Sequence, residues 1–309
     1  MWFRPLVSVI MPTYNAARFL NEALAALAAQ TYRNFEVICV DDGSTDGSGA
    51  MLDAAAEADS RFRVFHKKNA GAGAARTFGL KHVRGEYLMW CDADDFLEKD
   101  AIREMVRAVK GADMAVCRSR FIDTDDLSKI RREVEGDEYY NNLFSGLVPV
   151  TDDVFVRTNK ILWNKIFRTG IIRRNDISMP KLKVSEDTAF VGQYMMCVRN
   201  IRFIDSVLYN YRRHNDGLMG RRYNMKIGNF DNDMKAFDFL RRFAKKRGEA
   251  RFTALMDARE IYDKHSVLNW IQKLLTRKYK RLIDEGKKQP PPSKLKKQPP
   301  LKKRRKTSR

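Results

Sequence analysis

Polar loops follow three apolar, strand-like runs in the first hundred residues. They are Thr13-Tyr14-Asn15, Asp41-Asp42 and Asp92-Ala93-Asp94. In open α/β sheets, ligands bind outside the carboxyl ends of the strands, so three parallel strands would bring these loops to one crevice. Two carboxylates that are separated by one residue, as in Asp92-Ala93-Asp94, can hold a hard divalent cation. That cation can then hold a diphosphate. The spacing therefore predicts a crevice for Mg²⁺ or Mn²⁺ and a diphosphate.

Simpler structural roles stay open for the same residues. Asp41, Asp42 and Asp46 could build an Asx turn and cap a helix, and the acidic run at 92–95 could begin a helix. The glycines after the second apolar run lack the GxGxxG spacing, and no P-loop lysine follows them. An NAD or ATP site is therefore disfavoured.

Strands and helices alternate along the segments that must position these loops. Apolar runs of strand length lie at 6–11, 35–40, 63–66, 86–91 and 112–117. Helices fill most intervals, and Asn15 is predicted to cap the first of them. The apolar face of that helix comprises Phe19, Leu20, Ala23, Leu24 and Leu27. This alternation implies βα units, so we expect an α/β fold with a mostly parallel, Rossmann-like sheet covered by helices on both faces.

The excess of positive charge is concentrated near the C-terminal end of the sequence. The 309 residues carry a formal net charge of +20, and 15 Lys/Arg residues lie at 277–309 beside only 2 Asp/Glu residues. This stretch also holds five of the nine prolines, a composition typical of disorder. We therefore predict a domain at 1–225, a helical extension at 226–285 and a disordered, polybasic, proline-rich tail at 286–309.

Composition and cysteine spacing argue against several classes of protein. Hydrophobic residues make up 44% of the chain, yet no apolar run reaches the roughly 18 residues of a transmembrane helix. The first residues lack a basic region followed by an apolar core, so we expect no secretory signal. Cys39, Cys91, Cys117 and Cys197 are widely spaced, which argues against a zinc knuckle or a disulfide framework and favours the cytoplasm.

Six motifs resemble those of family 2 glycosyltransferases, and they occur in the family's order. The first is VSVIMPTYNAARFLNEALAALAAQTYRNFEVICVDDGSTDGS. The others are NAGAGAARTFGL, GEYLMWCDADD, LWNKIFRTGII, SEDTAF and LYNYRRH. Together they cover about residues 5–215. The resemblance implies the GT-A fold, a nucleotide-sugar donor and inversion at the anomeric carbon.

The resemblance also implies which residues hold the donor. The implied nucleotide-sugar set is Pro12, Thr13, Tyr14, Asp41, Asp42, Arg76, Asp92, Ala93, Asp94 and Arg212. Within this set, Asp41 or Asp42 would hydrogen-bond a uracil-type base, and Arg76 would lie near the base and the diphosphate. Mn²⁺ or Mg²⁺ would be held by Asp94 and Asp92, with His214 completing the metal shell.

The resemblance implies Asp187 as the catalytic base, with the adjacent Glu186 as its rival. The same pair could instead cap an exposed turn. An inverting transfer is a single displacement, which needs a base for the acceptor hydroxyl and a metal or cation for the leaving diphosphate. The acceptor side would be lined by Trp163, Asn164 and Lys165, although Trp163 fits a core position equally well.

The expected acceptor is a growing cell-surface glycan, such as a lipopolysaccharide core, a capsule or another lipid-linked saccharide, and UDP is the expected nucleotide. A transferase that acts on polyprenyl phosphate and a nucleotide-sugar-binding module without turnover are the alternatives. The basic C-terminal segment favours peripheral attachment to an anionic membrane, on the inner face of the cytoplasmic membrane. Nucleic-acid binding or nuclear import through KKRRK at 302–306, and a passive solubilising tail, are the other interpretations of this segment.

Overall fold

Strands and helices alternate in the computed structural model, which describes residues 4–123, 144–182, 184–214 and 230–256. The strands are β1 (Val7–Thr13), β2 (Phe35–Asp41), β3 (Phe62–His66), β4 (Tyr87–Trp90), β5 (Phe96–Leu97), β6 (Met114–Asp123), β7 (Gly146–Pro149), β8 (Lys165–Arg168) and β9 (Asn200–Arg213). The helices are α1 (Ala17–Ala28), α2 (Ser48–Ala58), α3 (Ala72–Leu80), α4 (Ala101–Ala108), α5 (Asp152–Arg157), α6 (Thr169–Arg174), α7 (Glu186–Met196) and α8 (Phe230–Lys246). A further helical segment covers residues 250–256.

The strands of the described residues form one mixed sheet. Their order is β3-β2-β1-β4-β8-β6-β9-β5, and β7 pairs with β9. β1 to β4, β6 and β9 run in one direction, whereas β5, β7 and β8 run in the other. The predicted α/β fold with a mostly parallel sheet is therefore confirmed.

The sheet is buried on both faces. Along β1, Val7, Val9 and Met11 join a core layer with α1, α2 and α4. Ile10 points the other way and joins a second layer with α3 and α5 to α8. A strand with both faces covered needs apolar residues at nearly every position, which explains the continuous apolar runs in the sequence. The predicted helices on both faces are confirmed by these two layers.

The N-terminus of α1 is held by a neighbouring loop. Asn15 has a φ of 48°, and its Oδ1 accepts a hydrogen bond from the backbone N–H of Thr45 at 2.8 Å. Asp46 Oδ2 accepts a hydrogen bond from the backbone N–H of Ala17, the first residue of α1, at 2.9 Å. The prediction that Asn15 caps α1 is therefore wrong. Asn15 instead ties the loop after β1 to the loop after β2, and the cap comes from Asp46.

α8 packs against α7 in the second core layer. The two helices approach so closely that a Cβ on Gly192 would lie 2.7 Å from Cδ1 of Leu240. The compact unit that contains them runs from Met1 to Met256, and the remainder, 257–309, lies outside the described residues. The predicted domain division, with its extension and tail, stays a prediction. No helix within the described ranges is long and apolar enough to cross a membrane.

We expect Gly85→Ala to destabilise the domain. A Cβ on Gly85 would lie 2.6 Å from the backbone nitrogen of Ser8 and 2.7 Å from the carbonyl oxygen of Tyr87, and backbone atoms cannot rotate away. The expected loss in the free energy of unfolding is about 1–3 kcal/mol, measured by urea denaturation.

Gly170→Ala is the matched control for this variant. Its Cβ would meet the end of the Arg174 side chain at 3.1 Å, and alanine is a good helix former within α6. Equal urea midpoints for the two variants would contradict the expectation.

Candidate functional site

The ends of β1 and β2 lie side by side. Thr13 is in register with Asp41, and the backbone N–H of Asp42 donates to the carbonyl oxygen of Thr13 at 2.8 Å. β4 runs parallel to β1 on its other side, so the acidic loop after β4 reaches the same edge. The predicted convergence of the three polar loops is confirmed. At this edge Pro12 is half-buried, Thr13 is buried and Tyr14 is 53% exposed.

Asp42 is held by the segment that leads into α3. Its side chain is buried and accepts hydrogen bonds from the backbone N–H groups of Ala70 at 3.1 Å and Gly71 at 2.7 Å. The ammonium group of Lys67 forms an ion pair with the same carboxylate. Asp42 therefore fixes the loop between β3 and α3, which is a structural role beside its predicted role in nucleotide binding.

Asp41 belongs to a second small network. Its carboxylate accepts a hydrogen bond from the backbone N–H of Ser44 at 2.9 Å and lies 2.9 Å from Nδ1 of His66. Nε2 of His66 lies 3.0 Å from Asp53 on α2. Burial raises the pKa of Asp41, but the hydrogen bonds from Ser44 and His66 outweigh burial and lower it. The hydrogen bonds to Asp41 and Asp53 raise the pKa of His66.

Arg76 joins two acidic residues from distant parts of the chain. Its guanidinium, carried by α3, donates to Oε1 of Glu186 at 2.5 Å and to Oδ1 of Asp92 at 2.8 Å. Burial lowers the pKa of Arg76, but the charges of Asp92 and Glu186 outweigh burial and raise it above its ordinary value. The guanidinium therefore stays charged and links the predicted donor loop to the predicted catalytic pair.

The end of β9 lies against the acidic loop after β4. Nε2 of His214 lies 2.9 Å from Oδ2 of Asp94. Nε of Arg212 donates to the carbonyl oxygen of Asp94 at 2.9 Å, and its NH2 pairs with Glu22 of α1. The structure thus brings Asp94, Arg212 and His214 together, whereas Asp92 is turned toward Arg76. Among the described residues, no group of three or more His, Cys, Asp or Glu side chains is arranged to hold a metal.

Sequence reasoning singled out Asp92 and Asp94 but missed Asp95. Asp95 is buried, and its carboxylate accepts hydrogen bonds from the Tyr209 hydroxyl at 2.7 Å and from the backbone N–H of Arg212 at 2.8 Å. Burial raises the pKa of Asp95 well above its ordinary value, and the charges of Asp94 and Asp92 add to this effect. The available signal was the third aspartate in the run DADD.

Two residues of α1 were also missed as neighbours of the site. The guanidinium of Arg212 lies 4.7 Å from the ring centroid of Phe19. The ring centroid of His214 also lies 4.7 Å from the Phe19 centroid. The carboxylate of Glu22 pairs with the guanidinium of Arg212. Phe19 and Glu22 fit the ordinary pattern of an amphipathic helix, so nothing local in the sequence marks them.

The predicted acceptor segment is buried. Trp163 is 6% exposed and stacks on Tyr209 with ring centroids 4.4 Å apart. Asn164 and Lys165 are also buried, and Nζ of Lys165 donates to Oδ1 of Asn164 at 2.7 Å. Burial lowers the pKa of Lys165 to about 7. Burial favours the core alternative for Trp163, and the acceptor role of the three residues stays a prediction.

α7 begins at the predicted catalytic pair. Glu186 is buried and engaged by Arg76, whereas Asp187 is half-buried in the first helical turn. Oδ1 of Asp187 accepts a hydrogen bond from the backbone N–H of Thr188 at 2.7 Å. Acidic residues are favourable in the first turn because the helix dipole is positive there. Asp187 is the more exposed of the pair, which favours it over Glu186 as the group that meets a substrate hydroxyl.

The sheet order, the two helical layers and the acidic loop at the carboxyl edge define a GT-A fold. Residues 8–171 match the family described as Glycosyl transferase family 2. The chain belongs to this family, as its motifs predicted.

Two curated relatives are named as glycosyltransferases. The chain is 31% identical over 234 residues to EpsH of Bacillus subtilis (strain 168), in a match that covers 72% of this chain and 65% of EpsH. It is 27% identical over 241 residues to GlyG of Streptococcus pneumoniae serotype 4, covering 71% of this chain and 75% of GlyG. The chain therefore spans slightly less than two thirds of EpsH and three quarters of GlyG.

Solved structures share the fold at low sequence identity. TarS 1-349 of S. aureus, in complex with UDP-GlcNAc, has a TM-score of 0.64 and 23% identity, covering 81% of this chain and 70% of that one. The mannosyltransferase PcManGT from Pyrobaculum calidifontis, in complex with GDP-Man and Mn²⁺, has a TM-score of 0.56 and 20% identity, covering 84% and 70%.

We expect His66 to make the stability of the folded domain depend on pH in the range from about pH 5.5 to about pH 8.5. The pKa of His66 is raised in the folded state. Its contribution to the free energy of unfolding is therefore fully present below the pKa of about 6.5 in the unfolded chain, and it is lost as the pH rises through the folded-state pKa. The wild-type advantage over His66→Gln should therefore be larger at about pH 5.5 than at about pH 8.5 in thermal unfolding.

His82→Gln is the control, because Nδ1 of His82 meets the carbonyl oxygen of Phe78 at 3.0 Å rather than a carboxylate. A stability difference between the wild type and His66→Gln that stays constant across this pH range would contradict the expectation.

Proposed function

We propose that this protein is an inverting glycosyltransferase that moves a sugar from a nucleotide-sugar donor to a hydroxyl group of a glycan acceptor. The observation that carries the proposal is the meeting of Asp94 with His214 and Arg212, next to the Asp92–Arg76 pair. Carboxylate and imidazole groups can ligate a divalent metal ion, and a guanidinium group can pair with the diphosphate that this ion holds. Relatives named as glycosyltransferases, and a fold neighbour in complex with UDP-GlcNAc, support this choice.

The donor nucleotide would lie over the ends of β1 and β2, against Pro12, Thr13 and Tyr14. Asp41 or Asp42 would accept a hydrogen bond from the base, as the family resemblance suggests. We propose UDP as the nucleotide, and the complex of TarS with UDP-GlcNAc supports that preference.

Asp94, with Asp92 and His214, would hold Mn²⁺ or Mg²⁺. Asp94 and His214 fit such an ion, because Nε2 of His214 and Oδ2 of Asp94 face each other at 2.9 Å and both atom types ligate Mn²⁺. Asp92, which accepts a hydrogen bond from Arg76, would have to turn from that guanidinium to join them. When bound, the ion would offset the negative charge that develops on the leaving diphosphate. The Mn²⁺ in the complex of PcManGT with GDP-Man supports a divalent ion.

Asp187 would take the proton of the acceptor hydroxyl. The hydroxyl oxygen would then attack the anomeric carbon while the bond to the diphosphate breaks, and attack from the opposite face inverts the configuration. Arg76 and Arg212 would stabilise the leaving diphosphate through preorganised charge. Asp187 is half-buried whereas Glu186 is buried, and the greater exposure of Asp187 supports this assignment.

We propose a cell-surface glycan as the acceptor, either a lipid-linked saccharide or part of a lipopolysaccharide or capsule. The basic residues at 277–309 would hold the enzyme on the inner face of the cytoplasmic membrane, with each Lys or Arg near an anionic leaflet contributing about 1 kcal/mol. Attachment of this kind would bring the enzyme to an acceptor that is itself anchored in the membrane.

Thermal unfolding with UDP and a panel of nucleotide sugars tests the donor site. We expect UDP or one nucleotide sugar to raise the Tm in the presence of Mn²⁺, because ligands that bind only the folded state stabilise it. EDTA should remove this shift, and Asp94→Asn should reduce it. Asp205→Asn is the matched control, because this exposed carboxylate pairs with Arg118 instead. No shift with any nucleotide sugar, with either metal, would contradict the proposal.

Asp187→Asn tests the base. We expect kcat for transfer to fall about 10²–10⁴-fold, the usual contribution of a general base, while the Tm shift with UDP is kept. A larger fall in Glu186→Gln than in Asp187→Asn would reassign the base to Glu186. Full activity in Asp187→Asn would instead favour an acceptor that is already an anion, such as polyprenyl phosphate.

A further inference from the structure

An open cleft of about 340 Å³ lies between the segment 180–182 and the first half of α8. Its volume falls at the lower end of the range for small-molecule sites, about 300–1,000 Å³. The lining comprises Pro180, Lys181, Leu182, Lys235, Asp238, Phe239 and Arg242. No predicted site residue belongs to it.

The lining is strongly cationic. Lys181, Lys235 and Arg242 contribute three positive charges, all on exposed side chains. The carboxylate among the lining residues is Asp238, and it forms an ion pair with Arg241 one turn further along α8. The cleft therefore favours an anion, and two flexible lysines with an arginine suit a phosphate group better than a planar carboxylate.

The packing of α8 on α7 brings the cleft to the candidate site. Leu240 lies against Gly192 of α7, the helix that begins at Glu186. The residues of α8 that line the cleft thus belong to the helix that covers α7, and α7 carries Asp187 in its first turn.

The other wall of the cleft also adjoins the site. The carbonyl oxygen of Leu182 lies 3.6 Å from the place where a Cβ would stand on Gly73, and Cγ of Glu186 lies 3.4 Å from the same point. Gly73 is one turn before Arg76 on α3. The 180–182 wall of the cleft thus ends beside Glu186 and close to the helical turn that carries Arg76.

We propose that this cleft binds a phosphate group of the acceptor, so that the enzyme acts on a phosphate-bearing glycan. The inference rests on the proposed function, since it gives the acceptor of that reaction a second anchoring point beside Asp187. The phosphate lies among Lys181, Lys235 and Arg242, and the apolar side chains of Leu182 and Phe239 cover the adjoining sugar. No bond to this phosphate forms or breaks during the transfer.

Lysine acetylation followed by mass spectrometry tests the proposal on the full chain. The protein is first given UDP and Mn²⁺ so that the donor site is filled, and then glucose 1-phosphate or the neutral methyl glucoside. We expect glucose 1-phosphate to slow the acetylation of Lys181 and Lys235 at least about threefold, because bound ligand excludes the reagent. Lys245 and Lys246, exposed in the last turn of the same helix, serve as internal controls and should react at unchanged rates.

A pair of double variants gives the second readout. The Tm increase caused by glucose 1-phosphate should be lost in Lys181→Gln/Lys235→Gln and kept in Lys245→Gln/Lys246→Gln. The Tm increase caused by UDP should be kept in both, which separates a failure of this inference from a failure of the proposed function. If UDP produces no shift in the wild type, the proposed function fails, whereas the lysine protection still reports on the cleft.

Three outcomes would overturn the proposal. The first is equal protection of all four lysines, and the second is no protection of any. The third is protection of Lys181 and Lys235 by phosphatidylglycerol vesicles but not by glucose 1-phosphate, which would assign the cleft to the membrane surface instead.

Discussion

Carboxylates that are buried at the carboxyl edge of the sheet have to meet cations, N–H donors or O–H donors, and this constraint organises the site. Asp42 meets Lys67 and two backbone N–H groups, and Asp95 meets Tyr209 and the backbone of Arg212. Removing one partner of a buried ion pair typically costs about 3–5 kcal/mol, because an unpaired charge is left behind. The acidic loops can therefore lie close together only where the rest of the chain supplies their partners.

Those partners come from elements that follow the loops by long stretches of sequence. Arg212, at the end of β9, reaches back 118 residues to the carbonyl oxygen of Asp94 and 190 residues to Glu22. Arg76 of α3 meets Glu186, 110 residues further along the chain. The geometry of the candidate site thus requires β9 and α7 to be packed in place. The long parallel pairing of β6 with β9 positions the end of β9, and with it Arg212, for these contacts.

The distance between partners also explains how much the sequence could predict. Strand runs, the polar loops and their convergence follow from local patterns, because a strand with both faces buried has to be continuously apolar. The capping of α1 by Asp46 and the role of Glu22 depend on side chains that meet across loops or across the fold, which no local pattern encodes. The run DADD marks Asp95 as a candidate, but its partners Tyr209 and Arg212 lie more than a hundred residues away. Trp163 shows a further limit of predicting the role of a residue from its sequence pattern. An aromatic residue in an apolar segment is equally suited to a core and to a sugar-binding face, and only the burial of Trp163 against Tyr209 in the fold favours the core.

The amino end of the same sheet shows why acidic content alone does not define a site. Glu36 on β2 is buried, like the aspartates at the other end, and accepts hydrogen bonds from the Ser8 hydroxyl at 2.7 Å and the backbone N–H of Arg84 at 3.0 Å. Its second oxygen accepts from Arg63 at 2.6 Å, so both oxygens are satisfied within the protein. At the carboxyl end, by contrast, the Asp94 side chain stays 35% exposed beside His214. The exposure that remains after internal pairing, rather than the number of carboxylates, distinguishes a network that stabilises the fold from one that can meet a ligand.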